Sequence, residues 1–469
     1  MPSSFDALII GSGQAANPLA VALAEAGRRV MLVERDQLGG SCINYGCSPT
    51  KTLLATAERA HLIRTAAPYG IPLNTEHLRV DLATAVARKE TLVRHLRHGV
   101  QNNLAQEHKN LTVRAGHATF IGPHTVRVAA SGGEVSEATA PLIFINTGTR
   151  PAIPEVPGLA DSGYLTTSEL LELRELPTHL LILGGGYIGV EFGQMFRRFG
   201  SHVTILDTSA QVLDREDEDV CAELQKNLTA EGIEFVLNAT ARRVSRNEAD
   251  ELTLTADTPT GTRRLSGSHL LVATGRRPNS DQLGLELAGI KTDADGYIKV
   301  NSRLETNVRG VYALGDVHGG PQFTHLSYDD FRIVRDALLH GRHRSARQRP
   351  LPYCVFTEPQ LGRIGLSETQ AKEQKIDYRV ASIPVSSIGR AQQTGESAGF
   401  WKILVGPDDR ILGAAILGAA GGEIMSIVQV AMAGRLKFQQ LREMIFAHPV
   451  WAEGLNNVFQ ELKKPAPKR

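Results

Sequence analysis

Cysteine is scarce here: four residues in 469, at positions 42, 47, 221 and 354. So thin a set excludes a disulfide-stapled scaffold and leaves each sulfur to be explained by itself. An excess of charge of one sign is missing too. Lys and Arg total 51 against 50 Asp and Glu, a formal charge of +1, which argues against a nucleic-acid partner. No apolar run is long enough to cross a bilayer, and residues 5–10 lack the basic flank and cleavage site of a signal peptide. The expectation is a cytoplasmic chain with no membrane contact. What the chain has is size: with 42% hydrophobic residues it is able to bury large cores, in two to four domains. It is also rich in glycine, which gathers at a few turns.

Two of the four cysteines lie in Gly39-Gly40-Ser41-Cys42-Ile43-Asn44-Tyr45-Gly46-Cys47-Ser48-Pro49-Thr50-Lys51. Five positions along a regular helix carry two side chains to different faces. These sulfurs therefore meet only where the backbone is irregular, which Gly39, Gly40 and Gly46 permit. Pro49 suits the first turn of a helix continuing through Lys51 and Leu54. A helix start after Cys47, with Lys51 one turn on, stabilises a thiolate, and a fall of about two pKa units makes it the majority form at neutral pH. On residue types alone, a buried cysteine pair beside a turn or half of a metal site stays open. No His or Cys close in sequence completes a zinc set.

The chain opens on a strand-like stretch, 7–10, followed at once by Gly11-Ser12-Gly13-Gln14-Ala15-Ala16, a helix to about residue 27, and a second strand, 30–33, ending in Glu34. Such glycines let backbone approach a pyrophosphate, the helix N-terminus holds its charge, and the terminal acid bonds a ribose. The ordered set of strand, turn, helix, strand and acid makes the signal strong. Pro18 is the awkward residue, expected to remove a donor and kink the helix.

The pattern then repeats: strand 180–183, Gly184-Gly185-Gly186-Tyr187-Ile188-Gly189, and strand 203–206 ending in Asp207. Gly11 to Glu34 and Gly184 to Asp207 have the same spacing. Each copy also closes on a buried strand ending Thr-Gly, at Thr147-Gly148 and Thr274-Gly275. Two dinucleotide-binding units imply two dinucleotides. Asp207 favours NADH over NADPH, because a carboxylate about 4 Å from a 2′-phosphate costs on the order of 4 kcal/mol per unit charge at an effective dielectric of 20. Arg215 is the residue that would neutralise it if its loop folds back.

Together these motifs resemble the class I pyridine nucleotide-disulfide oxidoreductases, the family of dihydrolipoamide dehydrogenase, glutathione reductase and mercuric reductase. The resemblance spans the whole chain. It implies an α/β architecture of two Rossmann-like domains plus a C-terminal α+β dimerisation domain, divided as 1–150 and 285–349 for FAD, 151–284 for NAD(P), and 350–469 for the interface. It implies that Cys42 and Cys47 form a redox-active disulfide, Cys42 meeting the substrate and Cys47 lying against the flavin. Lys51 and Glu191 would pair beside the flavin's reactive edge, and Tyr187 would cover the nicotinamide pocket. Thr306-x-x-x-x-Val311-Tyr312-Ala313-Leu314-Gly315-Asp316 is similar to the second flavin motif, whose aspartate bonds the ribityl chain. FAD would thus be held by Gly11, Gly13, Ala16, Glu34, Gly40, Lys51, Thr147, Gly148, Gly315 and Asp316, and the nicotinamide nucleotide by Gly184, Gly186, Tyr187, Gly189, Asp207 and Gly275. In Ala447-His448-Pro449-Val450-Trp451-Ala452-Glu453, His448 held by Glu453 would complete the partner's site in a homodimer. A near-neutral pKa suits that proton transfer. No metal site is expected.

The segments Ser41 to Lys51, Gly315 to Arg335, and Phe356-Thr357-Glu358-Pro359-Gln360-Leu361 are most similar to mercuric reductase-like proteins and to bacterial reductases acting against reactive chlorine species and hypothiocyanous acid. Mercuric reductases end in a cysteine pair, whereas the last cysteine here is Cys354. Handing over a soft metal wants additional thiolates. The expected acceptor is therefore a small thiol-reactive oxidised compound. A mercuric reductase, a dihydrolipoamide dehydrogenase and a flavin redox sensor with little turnover are the alternatives. Cys221 and Cys354 read as packing residues. Residues 82–107 read as a helix with a solvated basic face, 441–445 as a short helix, and 463–469 as a frayed tail.

Overall fold

The computed structural model describes residues 2–76, 78–105, 108–130, 132–248 and 251–462, so the expected helix end at Glu107 and the tail 463–469 lie outside it. The apolar run Ala7–Ile10 is wholly buried, as a strand covered on both faces must be. It forms the centre of a five-stranded parallel sheet ordered Val311–Ala313, Leu142–Ile145, Ala7–Ile10, Val30–Glu34, Leu111–Ala115. The second copy repeats four of these five strands and has no counterpart of Val311–Ala313. His179–Leu183 lies between His202–Leu206 and His269–Val272, with Ile233–Val236 outermost, all parallel.

The duplication extends beyond the motifs. Each copy carries an antiparallel three-stranded unit before its closing strand: His117–Gly122, Thr125–Ala129 and Val135–Thr139 in the first, Thr240–Arg246, Leu252–Thr258 and Gly261–Gly267 in the second. Even the turn contacts repeat. Gly11 has φ +94° and Gly184 φ +115°, and a Cβ at either would fall 2.4 or 2.5 Å from a carbonyl oxygen of the closing strand's end, Asn146 or Ala273. A side chain is excluded at both positions by backbone angle and by space.

Pro18 produces no break. It is the third residue of the helix Ala16–Glu25, where an N–H would have no intrahelical partner. The neighbouring Asn17 is buried and exchanges hydrogen bonds with Ser12, through Oγ at 2.7 Å and the carbonyl at 3.0 Å. The expected kink is thereby corrected.

The helix Cys47–Arg64 packs on the helix Tyr187–Phe199, with Leu53 and Ala57 in one core with Val190, Phe192 and Phe196. That packing sets the cysteine motif against the second glycine turn. The basic face of Leu82–Ala105 is not merely solvated. Arg88 donates to the Thr52 carbonyl at 3.0 Å and Arg97 to Asn44 Oδ1 at 3.0 Å, so the helix braces the cysteine motif.

Residues 353–418 supply a five-stranded antiparallel sheet ordered Tyr353–Val355, Gln360–Gly365, Ile411–Gly418, Phe400–Val405, Arg379–Pro384. The short helix placed at 441–445 from sequence is Phe438–Arg442. Phe438 and Leu441 are buried in one core, whereas Met444 and Ile445 stand exposed. Among the described residues no helix is long and apolar enough to cross a membrane.

Candidate active site

A cavity of about 390 Å³ runs from the first glycine turn past the cysteine motif to the first residues of the helix Tyr187–Phe199, within the usual range for a ligand site. Gly11, Gly13 and Glu34 line one end, Gly40, Cys42, Cys47 and Lys51 the middle, and Thr147, Gly148, Asp316, Tyr187 and Glu191 the remaining walls. At the glycine end Glu34 accepts from the Ser12 N–H at 2.7 Å and the Asp36 N–H at 2.9 Å. Asn146, which sequence alone did not single out, accepts from the Ala16 N–H at 3.2 Å and donates to the Leu314 carbonyl at 2.6 Å, tying the turn to the segment before Gly315. The Gly315 N–H in turn donates to buried Asp330 at 2.7 Å.

Cys42 lies on the short helix Gly40–Asn44 and Cys47 opens the next, Cys47–Arg64, with Gly46 between them. The break in helix geometry allows the two to approach, and both are free thiols in this structure. The Cys42 thiol is a hydrogen-bond partner of Cys47. That bond, with burial, pushes Cys42 far above the ordinary thiol range. The same bond draws Cys47 down to about 6, against its burial and with help from the Thr324 hydroxyl and the Lys51 charge. Thr324 Oγ1 stands 3.4 Å from Cys47 Sγ. Thr324 carries no local motif, and a contact between residues 277 apart leaves no trace in spacing.

Lys51, one turn into the helix, meets Glu191 Oε2 at 2.5 Å. Glu191 is buried, and its Oε1 accepts from the Phe356 N–H at 2.8 Å. The Lys51 ammonium also lies 4.5 Å from the Phe356 ring centroid, a cation–π contact. Three distant segments thus converge on one ion pair, and Phe356, which opens one of the segments carrying the resemblance, is the member to which sequence gave no role in the site. Tyr187, first residue of its helix, places its ring 5.9 Å from Phe323.

The walls fit a flavin dinucleotide. Gly148 lines the cavity, and a Cβ there would meet no protein atom within 4 Å. Gly40 touches the first turn so closely that its Cβ would fall 2.8 Å from Gly13 Cα, which keeps the cysteine motif against the turn. Half-buried Asp316 accepts from the Thr149 hydroxyl at 3.2 Å through Oδ2. Its Oδ1 has no hydrogen bond among the described residues, so it remains available to a polyol. Burial raises its pKa and the nearby Arg276 opposes that rise. Arg276, also unflagged by sequence, donates to Thr149 Oγ1 and O, both at 2.8 Å.

The remaining candidates lie elsewhere. Ala16 is buried in the first helix, and Gly315 sits behind Asp316 in a neighbouring cavity. Gly184, Gly186, Gly189, Asp207 and Gly275 do not line the main cavity; Asp207 binds the second turn, accepting from the Gly185 N–H at 2.5 Å and the Ser209 N–H at 2.7 Å. Arg215 makes no ion pair with Asp207 among the described residues; its charge acts on Tyr187 instead. His448 and Glu453 do not line the cavity either. His448 Nδ1 lies 3.0 and 3.1 Å from the two Glu453 oxygens, and its side chain is 74% exposed. Cys221 and Cys354 are both pushed up to about 12 by burial, which makes them inert at neutral pH.

A family model described as pyridine nucleotide-disulphide oxidoreductase matches residues 5–330, and one described as the dimerisation domain of those enzymes matches 351–459. The chain is 39% identical to the probable pyridine nucleotide-disulfide oxidoreductase RclA of Escherichia coli (strain K12), over 98% of this chain and 100% of that protein. It is 35% identical to the mercuric reductase of Lysinibacillus sphaericus, over 96% of this chain and 81% of that one. A dihydrolipoyl dehydrogenase of Chlamydia trachomatis is 33% identical, over 97% and 96%. The solved structure of the HOCl-induced flavoprotein disulfide reductase RclA from Escherichia coli superposes with a TM-score of 0.87 at 40% identity, covering 98% of this chain and all of that one.

Proposed function

The chain belongs to the pyridine nucleotide-disulfide oxidoreductase family, and on that premise we propose that it reduces a small thiol-reactive oxidised acceptor with electrons from NADH. In this reading 1–150 and 285–349 hold FAD, 151–284 hold the nicotinamide nucleotide, and 350–469 join two subunits in a homodimer. FAD, when bound, supplies the two-electron carrier between the nicotinamide and the thiol pair. The observation that carries the reading is one cavity holding Cys42, a Cys47 tuned to ionise near pH 6, and the Lys51–Glu191 pair.

The chain's own residues account for acceptor reduction. Cys42, more basic than Cys47, passes its proton to His448 of the partner subunit as its sulfur bonds to the acceptor and displaces a leaving group. His448 of the partner subunit, oriented by Glu453, protonates that group. The Cys47 thiolate then attacks the Cys42 sulfur, closing the disulfide and releasing the rest of the acceptor reduced. One thiol and one thiolate become one disulfide and the acceptor gains two electrons, which NADH replaces. A His448 that is exposed and away from its own subunit's cavity supports a role in a neighbouring one. The Asp207 carboxylate, turned toward backbone N–H groups without a paired cation among the described residues, supports NADH as donor.

The solved relative described as HOCl-induced supports a chlorine-stress acceptor, while mercuric reductases at 33 to 35% identity keep mercuric ion in contention. Steady-state NADH oxidation against hypothiocyanous acid, a chloramine, mercuric ion and lipoamide decides. The expected result is fastest turnover with the chlorine-derived oxidants, abolished by Cys42→Ser; fastest turnover with lipoamide or mercuric ion would overturn the acceptor assignment.

A further inference from the structure

Phe323 has no part in the chemistry above, yet it is packed by three aromatic rings. It faces Tyr187 at 5.9 Å, His325 at 5.4 Å with an interplanar angle of 18°, and Tyr353 at 5.4 Å with an angle of 12°. The stack is anchored at its far end. The Tyr353 hydroxyl bonds to Glu216, a buried carboxylate that also takes Arg363 Nε at 2.7 Å, and Arg363 is buried as well. Phe323 is the residue immediately before the helix Thr324–His340, and Thr324 is the residue whose hydroxyl reaches Cys47. The N-terminus of a 17-residue helix is therefore held at the reactive sulfur by its preceding ring, where its partial positive charge favours an anion.

We propose that Phe323 is a positioning residue for Cys47: clamped between Tyr187, His325 and Tyr353, it fixes the N-terminus of the Thr324–His340 helix, and with it the Thr324 hydroxyl, against the sulfur. The inference rests on the reading of Cys47 as the thiolate of the site. It adds that thiolate formation and the Tyr187 wall of the cavity depend on one shared support. The charged and titratable groups facing Cys47 are Cys42, Lys51 and Glu191, and none of them contacts Phe323 in the ring stack, so its effect passes through the helix terminus.

The test is the pH dependence of alkylation of the reduced holoenzyme, quantified for each cysteine by peptide mass spectrometry. In the wild type, Cys47 should react with a midpoint well below that of the other three sulfurs. Thr324→Val should raise that midpoint by about one unit, the equivalent of one hydrogen bond to a charged group. Phe323→Leu, which keeps bulk and loses the ring, should raise it in the same direction, and Phe323→Tyr should restore it. Adding Phe323→Leu to Thr324→Val should move the midpoint by much less than it does alone, since both act through one contact. An unshifted midpoint in folded Phe323→Leu, or full additivity with Thr324→Val, would overturn the role of Phe323 while leaving the thiolate reading intact. An ordinary thiol midpoint for Cys47 in the wild type would overturn the parent reading instead.

Discussion

At the scale of single residues, the site depends on making two neighbouring sulfurs chemically unequal. Cys47 is lowered chiefly by the hydrogen bond from Cys42, and then by Thr324 and Lys51, while Cys42 is raised by the same bond. Because the folded value of Cys47 lies below that of an ordinary thiol, its thiolate persists at neutral pH and is lost as pH falls through about 6. The thiolate-to-flavin absorbance of the reduced enzyme should fade over that window; a midpoint near that of a free thiol would contradict the assignment. Lys51→Met leaves Glu191 buried with, among the described residues, only the Phe356 N–H as partner. Turnover should fall on the order of 100-fold, the size of losing one preorganised charge at a reacting centre, with FAD content retained; unchanged kcat would count against the pair's role. The cysteines and Lys51 were legible in sequence because one short stretch carries them. Thr324, Asn146, Arg276 and Phe356 were not, since each acts across more than a hundred positions through a contact that only folding creates.

At the scale of elements, the first glycine turn, the cysteine helix and the helix Tyr187–Phe199 arrange the cavity. Leu53 and Ala57 bind the cysteine helix to the helix bearing Glu191. Leu53→Ala should cost about 3 kcal/mol, read as a lower Tm. It should also reduce activity, because Lys51 rides on the same helix; an unchanged Tm would show that the two helices are held by other contacts. Asp207 stabilises its turn through the Gly185 and Ser209 N–H groups. Asp207→Ala should raise NADPH use relative to NADH by on the order of 100-fold in kcat/KM, and an unaltered ratio would place selectivity elsewhere. The parallel strands were readable as short apolar runs ended by glycine and an acid. The strands of the first antiparallel unit showed as alternation through 111–120 and 125–128, whereas the second unit was missed: its flanking strands carry exposed residues such as Arg242, Arg243, Arg263 and Arg264 on both faces, which erases the alternation. Pro18 misled for a different reason, since its effect depends on its position within a helix whose start sequence places only approximately.

At the scale of the whole molecule, one parallel-sheet unit occurs twice, and a third unit places His448 outside its own subunit's cavity. If that histidine serves a partner, Cys42→Ser and His448→Ala should each be nearly inactive alone. Co-expressed, they should recover roughly a quarter of wild-type activity, because randomly paired subunits of a two-fold dimer form one intact site in each mixed pair. No recovery would place the action of His448 within its own subunit, and an active His448→Ala would place it outside the reaction. The duplicated sheet was legible from the repeat itself, whereas the approach of residue 324 to residue 47 required the last part of the first sheet to fold back. The most direct test of the central claim is the visible spectrum of two-electron-reduced Cys47→Ser beside the wild type. The account expects FAD bound in both and the long-wavelength thiolate-to-flavin band only in the wild type; an equal band and equal turnover in the variant would contradict it.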